Sequence, residues 1–513
     1  MTRHAALVKY DKRAADLTET PELSVAFSYK QSWIDAESEW LALSMPNALK
    51  VAPVISPSLP PFLDGLIPEG WLLGLASRMK PELAKDRFGL LLATCGDAVG
   101  AVGVNDLDAP RKADQEASDR LPREALQGPV ENPFGRCLVC AGPLEERANH
   151  YHDLCATRLF GTSAASLPFL QEQFEELAMD NIRAHLIVPG AQRKISASLL
   201  TDGDGRTRIT LVGTGEGGLF ILKPEHPQVS TFPANEHAAM MIAQAAGLET
   251  ASFGLMLGPD GKLSYVTRRF DRVKRGKGPL QKRSMEDFGQ IFGRVRDHEK
   301  YKESFDKIGK FLRGSSPQAI VDCARFFDQV FLSYLIGNND FHLRNVSVFT
   351  EGNRPILTPA YDITITQLID PEPEEDTTLP VNGRKNKIRR GDWFEFGMRM
   401  GMAEKAVQTR IEHFECAMPA IEEAAMRSFL PADEKTKLLK FTTGRMARAL
   451  VSVPQVAAGG AGGVSDDKEL VPIEASKPRT FVNTLPGTVQ VEAPDALDVE
   501  GHSNDWKVLS DED

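Results

Sequence analysis

Long apolar runs are missing from this 513-residue chain. None approaches the ~18–20 residues that a membrane-spanning helix needs. The opening stretch MTRHAALVKYDKRAADL has neither an apolar h-region nor a small-residue cleavage site, so no secretory signal is read and the cytoplasm is the expected compartment. Cysteine is scarce. Six residues without an export signal do not suggest a disulfide framework, and Cys95, Cys323 and Cys416 stand alone and read as small buried hydrophobes. Positive charge is not in excess either. The net charge is −11, and residues Val456 to Asp513, with 12 acidic and 4 basic side chains, hold −8 of it. That balance argues against a body that binds nucleic acid through bulk charge, although local basic patches survive.

What is present suffices for real cores: 42% of residues are hydrophobic and 26% charged, in a chain long enough for two or three domains. Residues 1–105 read as short strands and turns, with a proline-dense stretch at Val51–Trp71 and a helix over Lys85–Thr94. Residues 106–136 form a polar linker, and a cysteine cluster follows at 137–160. From about residue 180 to 275, apolar runs parted by Gly/Asp turns predict strands, joined by a helix over Glu236–Ala246 that Asn235 caps and Gly247 ends. The period then becomes helical through residue 455. Ser316-Pro317 opens one such helix, on which Ile320, Cys323, Phe327, Val330 and Tyr334 recur at three- and four-residue steps. Residues 456–513 are Gly-, Pro- and acid-rich and are expected to be disordered.

The most informative stretch is Asn338-Asn339-Asp340-Phe341-His342-Leu343-Arg344-Asn345, then Val346–Phe349, then Pro359-Ala360-Tyr361-Asp362-Ile363. Asp340 and Asn345 keep the D-x-x-x-x-N spacing of a kinase catalytic loop, in which the aspartate faces the acceptor hydroxyl and the asparagine turns to Mg²⁺. Asp362 is placed to be the second metal carboxylate. The spacing alone is weak, and the competing reading is a polar loop with an Asx turn. The apolar helix before it and the Tyr-Asp-Ile one hairpin later make it specific.

Taken together, IGNNDFHLRNVSVF and LTPAYDI resemble the catalytic segment of HipA-type serine/threonine kinases, the toxins of HipBA toxin–antitoxin pairs. Val188-Pro189-Gly190-Ala191-Gln192-Arg193-Lys194 is similar to that family's phosphate loop, and Phe220–Pro224 to the strand bearing its ATP-binding lysine. Arg269-Phe270-Asp271-Arg272 resembles the hinge that holds adenine. Leu59–Phe62, Leu66–Trp71 and Gly96–Gly100 look like the family's N-terminal subdomain.

The resemblance implies an α+β fold: a two-lobed, protein-kinase-like core with a small β-rich N-terminal subdomain. It further implies ATP and Mg²⁺ as cofactors. Asp340 would be the catalytic group and Lys223 the phosphate-binding lysine, with Gly190, Ala191, Gln192, Lys194, Phe270 and Asp271 around the nucleotide and Asn345 and Asp362 on Mg²⁺. Glu236 is a candidate partner for Lys223, and His342 for ordering the loop. A protein substrate such as an aminoacyl-tRNA synthetase is implied, with a HipB-like antitoxin as partner, DNA reached only through it, and no membrane. Two departures stand out: Ile187 replaces the serine that HipA toxins often autophosphorylate, with Ser196 and Ser198 nearby, and bulky Phe341 follows Asp340, where it would narrow acceptor access. A kinase with a small-molecule acceptor and a catalytically silent binding module remain the alternatives.

Gly213–Gly218 fits G-x-G-x-x-G, but no helix follows it, so it reads as a hairpin turn. Cys137, Cys140, His152 and Cys155 form two close pairs across a short loop, the spacing of a closed structural Zn²⁺ site, with His150 as a substitute ligand. Two basic stretches, Arg268–Arg283 and Gly383–Arg390, read either as solvated faces or as contacts for an acidic partner such as tRNA or operator DNA.

Overall fold

Two apolar-alternating runs near the start, joined by Tyr10-Asp11 with both residues at positive φ (51° and 62°), form a tight hairpin of β1 (Arg3–Lys9) and β2 (Lys12–Glu19). With β3 (Val25–Tyr29), β4 (Val54–Ser56), β5 (Val102–Asp106) and the pair Lys507–Val508 beside β4, they make an antiparallel sheet. Helices Pro61–Asp64, Gly70–Met79 and Arg87–Thr94 cover it, burying Leu7, Phe27, Phe62 and Leu91. The last helix starts two residues later than expected because Asp86 caps it, accepting the Gly89 N–H at 2.8 Å. The N-terminal subdomain therefore holds more helix than its proline content suggests.

This computed structural model describes residues 2–36, 39–45, 53–109, 130–145, 150–186, 188–211, 218–274, 280–370, 375–451 and 507–508. Most of the expected linker, Ile187, the glycine-rich turn at 212–217 and all but two residues of the expected disordered tail lie outside them.

A second antiparallel sheet carries strands β6 (Ile195–Thr201), β7 (Thr207–Leu211), β8 (Phe220–Lys223), β9 (Phe253–Leu257) and β10 (Leu263–Arg268) in the order β7-β6-β8-β10-β9. The helix Phe232–Ala245 packs against β9 and β10. It begins earlier than the sequence reading places it, with Pro233 in its first turn, and Asn235 is no cap. Asn235 is buried inside the helix, where its amide exchanges hydrogen bonds with the Ile365 backbone (2.8 and 3.1 Å).

The second lobe is helical: Phe305–Ser315, Ala319–Ile336, Arg390–Arg399, Glu404–Arg427 and Ala432–Leu450. Phe327, Phe331, Tyr334, Phe396 and Phe414 ring the buried Trp393 or pack beside it. Ile320 departs from the expected stripe; it is 88% exposed and its neighbour Val321 is exposed too, so burial of the helix starts only at Asp322 and Cys323. A small sheet of Met285–Asp287, Ser347–Phe349 and Ile356–Leu357 holds the loop between the lobes. The fold is α+β and kinase-like, with a strand-rich lobe, a helical lobe and the N-terminal subdomain laid against both. Among the described residues, no helix is long and apolar enough to cross a membrane.

Candidate active site

Strand β8 ends on Lys223 inside the interlobe cleft. Its Nζ lies 2.7 and 3.0 Å from the two oxygens of Glu236 and is also paired with Asp362. Burial works against a charge on Lys223, but Asp362 and Glu236 outweigh it and raise its pKa. Burial likewise opposes ionisation of Asp362, yet Lys223 and Lys194 prevail and lower it to about 2. Asp362 adopts φ 55°, a left-handed conformation uncommon for any residue but glycine, which marks a backbone held by its surroundings.

The catalytic-type loop follows the buried helix Ala319–Ile336, which Gly337 ends at φ 73°. The Asp340 carbonyl accepts the His342 N–H (2.9 Å) and the Asn345 amide N–H (2.7 Å). That second bond uses one of the two amide N–H groups and fixes the orientation of the Asn345 side chain in the cleft lining. His342 accepts the Arg344 N–H on Nδ1 (3.2 Å) and turns Nε2 towards Asp340 at 3.6 Å. Burial and Lys300 lower its pKa to about 3, so it stays neutral and orders the loop. The Asp340 carboxylate opens to the cleft yet is ringed by protein. This partial desolvation and the Asp362 charge raise it to about 6, with Lys300 acting the other way.

Gly190, at φ 128°, passes so close to Lys194 that a Cβ there would sit 2.3 Å from its Nζ. Lys194 is buried, which lowers its pKa to about 8. Gly190, Ala191, Gln192, Lys194, Lys223, Glu236, Phe270, Asp271, Asp340, Asn345 and Asp362 line one cleft. Asp271, however, spends its carboxylate on Arg269 (2.7 and 2.9 Å), Arg272 (2.8 Å) and the Gly100 N–H (2.8 Å), so it fastens the segment after β10 to the N-terminal subdomain. Phe341 is 3% exposed and packs on Phe305, so it does not narrow the approach to Asp340. Tyr301 does flank it, with its hydroxyl 3.3 Å from Asp340 Oδ1. Ser196 is buried in its strand, out of reach of a kinase.

Several cleft residues went unread in the sequence. Lys300 and Tyr301 sit in a polar stretch with no period. Arg344 lies inside the motif, and its role shows only in three dimensions: it pairs with Glu69 and with Asp287 and donates to the Gly65 carbonyl (2.7 Å). Gly70 meets the phosphate-loop-like segment so closely that a Cβ would lie 2.7 Å from Ala191 Cα. The only local signal was the Glu69-Gly70-Trp71 turn. Much of Arg268–Arg283 is also structural: Arg269 and Arg272 are buried, Lys282 pairs with Asp97, and Arg283 with Glu351. In the other basic stretch, Lys385 pairs with Glu375 and Arg384 with Asp392.

Away from the cleft, the ligand atoms of Cys137, Cys140, His152 and Cys155 lie within 4.8 Å of one another, a cluster that fits a tetrahedral metal such as zinc. His152 turns Nε2 to the Pro143 carbonyl (2.9 Å), leaving Nδ1 3.4 Å from Cys140 Sγ and 3.8 Å from Cys155 Sγ. The neighbouring Cys140 thiol, helped by backbone N–H groups and opposed by burial, lowers the Cys137 pKa to about 4. His150 is no ligand; its Nε2 sits 2.7 Å from the Val130 carbonyl.

Comparison with known proteins gives a consistent picture. A model described as the HipA N-terminal domain matches residues 6–105, and one described as the HipA-like C-terminal domain matches 186–421. A Sinorhizobium fredii protein named "Putative kinase Y4mE" is 26% identical over 419 residues, 80% of this chain and 89% of that protein. "Putative kinase Y4dM" of the same organism is 32% identical over 210 residues, 39% of this chain and 48% of that one. A chain from the solved Shewanella oneidensis MR-1 complex of HipA, HipB and operator DNA superposes with a TM-score of 0.58 at 17% identity, covering 87% of this chain and 96% of that one. That likeness shows the fold.

Proposed function

Since the chain belongs to the HipA family, we propose that it is an ATP- and Mg²⁺-dependent serine/threonine protein kinase of the toxin kind. One observation carries the reading: Lys223, Glu236, Asp340, Asn345 and Asp362 converge on a single cleft from four separate chain segments. A binding module has no need of a buried lysine–carboxylate pair beside an ordered aspartate loop. Lys223 and Lys194 bring positive charge to the place where phosphates would lie. Gly190 lets the backbone approach them. Asp340, ionised above its pKa, accepts the proton of the acceptor hydroxyl as the γ-phosphoryl group is transferred. Asn345 and Asp362 would hold Mg²⁺, which screens phosphate charge when bound. Phe270 offers a ring for the adenine at the hinge.

In this reading, residues 1–105 are a packing subdomain, 180–275 the ATP lobe, 276–455 the catalytic lobe and 137–160 a structural zinc insert. The substrate class is a protein of the translation apparatus such as an aminoacyl-tRNA synthetase, and the partner is a HipB-like antitoxin through which DNA is reached. The solved HipA–HipB–DNA complex supports that partner by fold likeness. The test compares wild type with Asp340→Ala for growth arrest and for phosphoproteins detected by mass spectrometry. The variant should lose both effects; equal arrest and equal phosphorylation would overturn the reading. Transfer of label from ATP only to small molecules would favour a small-molecule acceptor.

A further inference from the structure

The metal cluster lies on the far side of the helix that carries Glu236. Cys137-Leu138-Val139-Cys140 turns back on itself with Ala141 at φ 54°, the Ala141 N–H bonded to the Cys137 carbonyl (2.8 Å) and the Cys137 N–H to the Gly142 carbonyl (2.8 Å). Two carbonyls at the tip of this knuckle point into the strand-rich lobe. Leu138 accepts the Leu255 N–H from the edge strand β9 at 2.7 Å, and Tyr151 returns a bond to the Leu255 carbonyl at 3.0 Å. Val139 accepts from His237 Nε2 at 2.9 Å.

His237 is the residue after Glu236 and is fully buried between the rings of Phe253 and Phe429. Among the described residues its Nδ1 has no hydrogen-bond partner, and the Val139 contact is the one hydrogen bond its side chain makes there. Successive residues on a helix point about 100° apart. One therefore meets the knuckle while the other meets Lys223. A knuckle this short has little apolar core of its own, so a metal held by the four ligands would add to its rigidity.

We propose that the metal-bound knuckle, acting through the Val139 carbonyl and His237, sets the rotation of the helix Phe232–Ala245 and so holds Glu236 on Lys223. His237 is thus a positioning residue, and metal loading is coupled to nucleotide affinity across the sheet. The inference rests on the kinase reading and on zinc occupying the Cys₃His cluster.

The test uses the full chain and calorimetry with Mg-ATP. Four samples are compared: zinc-loaded protein, protein stripped by a zinc-selective chelator in excess Mg²⁺, His237→Phe, and His237→Gln. Metal analysis and hydrogen exchange over residues 232–245 accompany each. Stripped protein and His237→Phe should bind Mg-ATP about five- to tenfold more weakly, in the range usual for coupled sites, with faster exchange in the helix. His237→Phe should keep its zinc, and His237→Gln, which can still donate to Val139, should recover the affinity. Unchanged affinity in zinc-containing His237→Phe, or equal affinity of stripped and loaded protein, would overturn the coupling. Wild type that fails to bind Mg-ATP removes the kinase reading and this inference with it. Wild type that takes up no zinc removes the metal arm and leaves the phosphotransfer assay standing.

Discussion

Asp340 sits between charges of opposite sign, and its titration reports both. Partial burial and Asp362 raise it above the ordinary 3.8 to about 6, while Lys300 restrains the rise. In the proposed mechanism the ionised form accepts the proton, so activity should be present above the pKa and lost as pH falls through it. The acid limb of the kcat/KM profile should therefore have its midpoint near pH 6, not near 4. Lys300→Met should move that midpoint to higher pH. A limb near pH 4, or one that Lys300→Met leaves in place, would contradict this account. At this scale much was legible, because Asp340, Asn345 and Asp362 are tied to one another by sequence spacing. Lys300 and Tyr301 were not, since both reach the cleft from a segment with no motif and no period; Glu69 lies in the Leu66–Trp71 motif, but its pairing with Arg344 joins residues far apart in sequence.

Helix Phe232–Ala245 shows what pattern reading misses in an element. Asn at a helix start usually caps it, but here the helix begins at Phe232, with Pro233 in its first turn, and takes Asn235 into its body. The amide instead joins the helix to Ile365, three residues beyond Asp362. Asn235→Ala should strand a buried N–H and C=O, costing about 2–3 kcal/mol in denaturant unfolding and weakening Mg-ATP binding. A loss of stability with unchanged affinity would reduce the bond to a structural one. In the helical lobe, Trp393 is fully buried among aromatic rings, and its indole N–H has no hydrogen-bond partner among the described residues. Trp393→Ala should cost about 3–5 kcal/mol through cavity formation. Trp393→Phe, which removes the unpaired donor, should cost clearly less, and both follow from melting curves. The three- and four-residue step predicted this core well along Cys323, Phe327, Val330 and Tyr334. It failed at Ile320 because a period names a face and not where the neighbouring helices stop.

Across the whole molecule, the order of a strand-rich lobe and then a helical lobe was readable from the change of period. The docking of the N-terminal subdomain was not, because it depends on contacts between residues far apart in sequence. Its centre is Asp271, shared by Arg269, Arg272 and the Gly100 N–H, with Asp97 on the far side of Arg272. Removing one partner from such a buried group leaves the others uncompensated. Asp271→Asn should cost about 3–5 kcal/mol and split one thermal transition into two, as the subdomain parts from the lobes. A single transition at the wild-type midpoint would show that other contacts hold the subdomain. The charges oppose burial strongly enough to keep Asp271 ionised, well below its ordinary pKa. Its stabilisation is therefore complete above about pH 4 and fades as pH falls further towards its folded pKa.

The Arg272–Gly100 bond also spans 172 positions of the chain. During synthesis at roughly 5–20 residues per second, the turn at 97–100 would wait on the order of 10–30 s before its arginine leaves the ribosome. Asp97 and the Ala98 and Gly100 carbonyls stay solvated through that interval. Strands β1 to β5 of the N-terminal sheet can pair early, but the joint that commits them to the rest of the protein is made late, at the pace of translation.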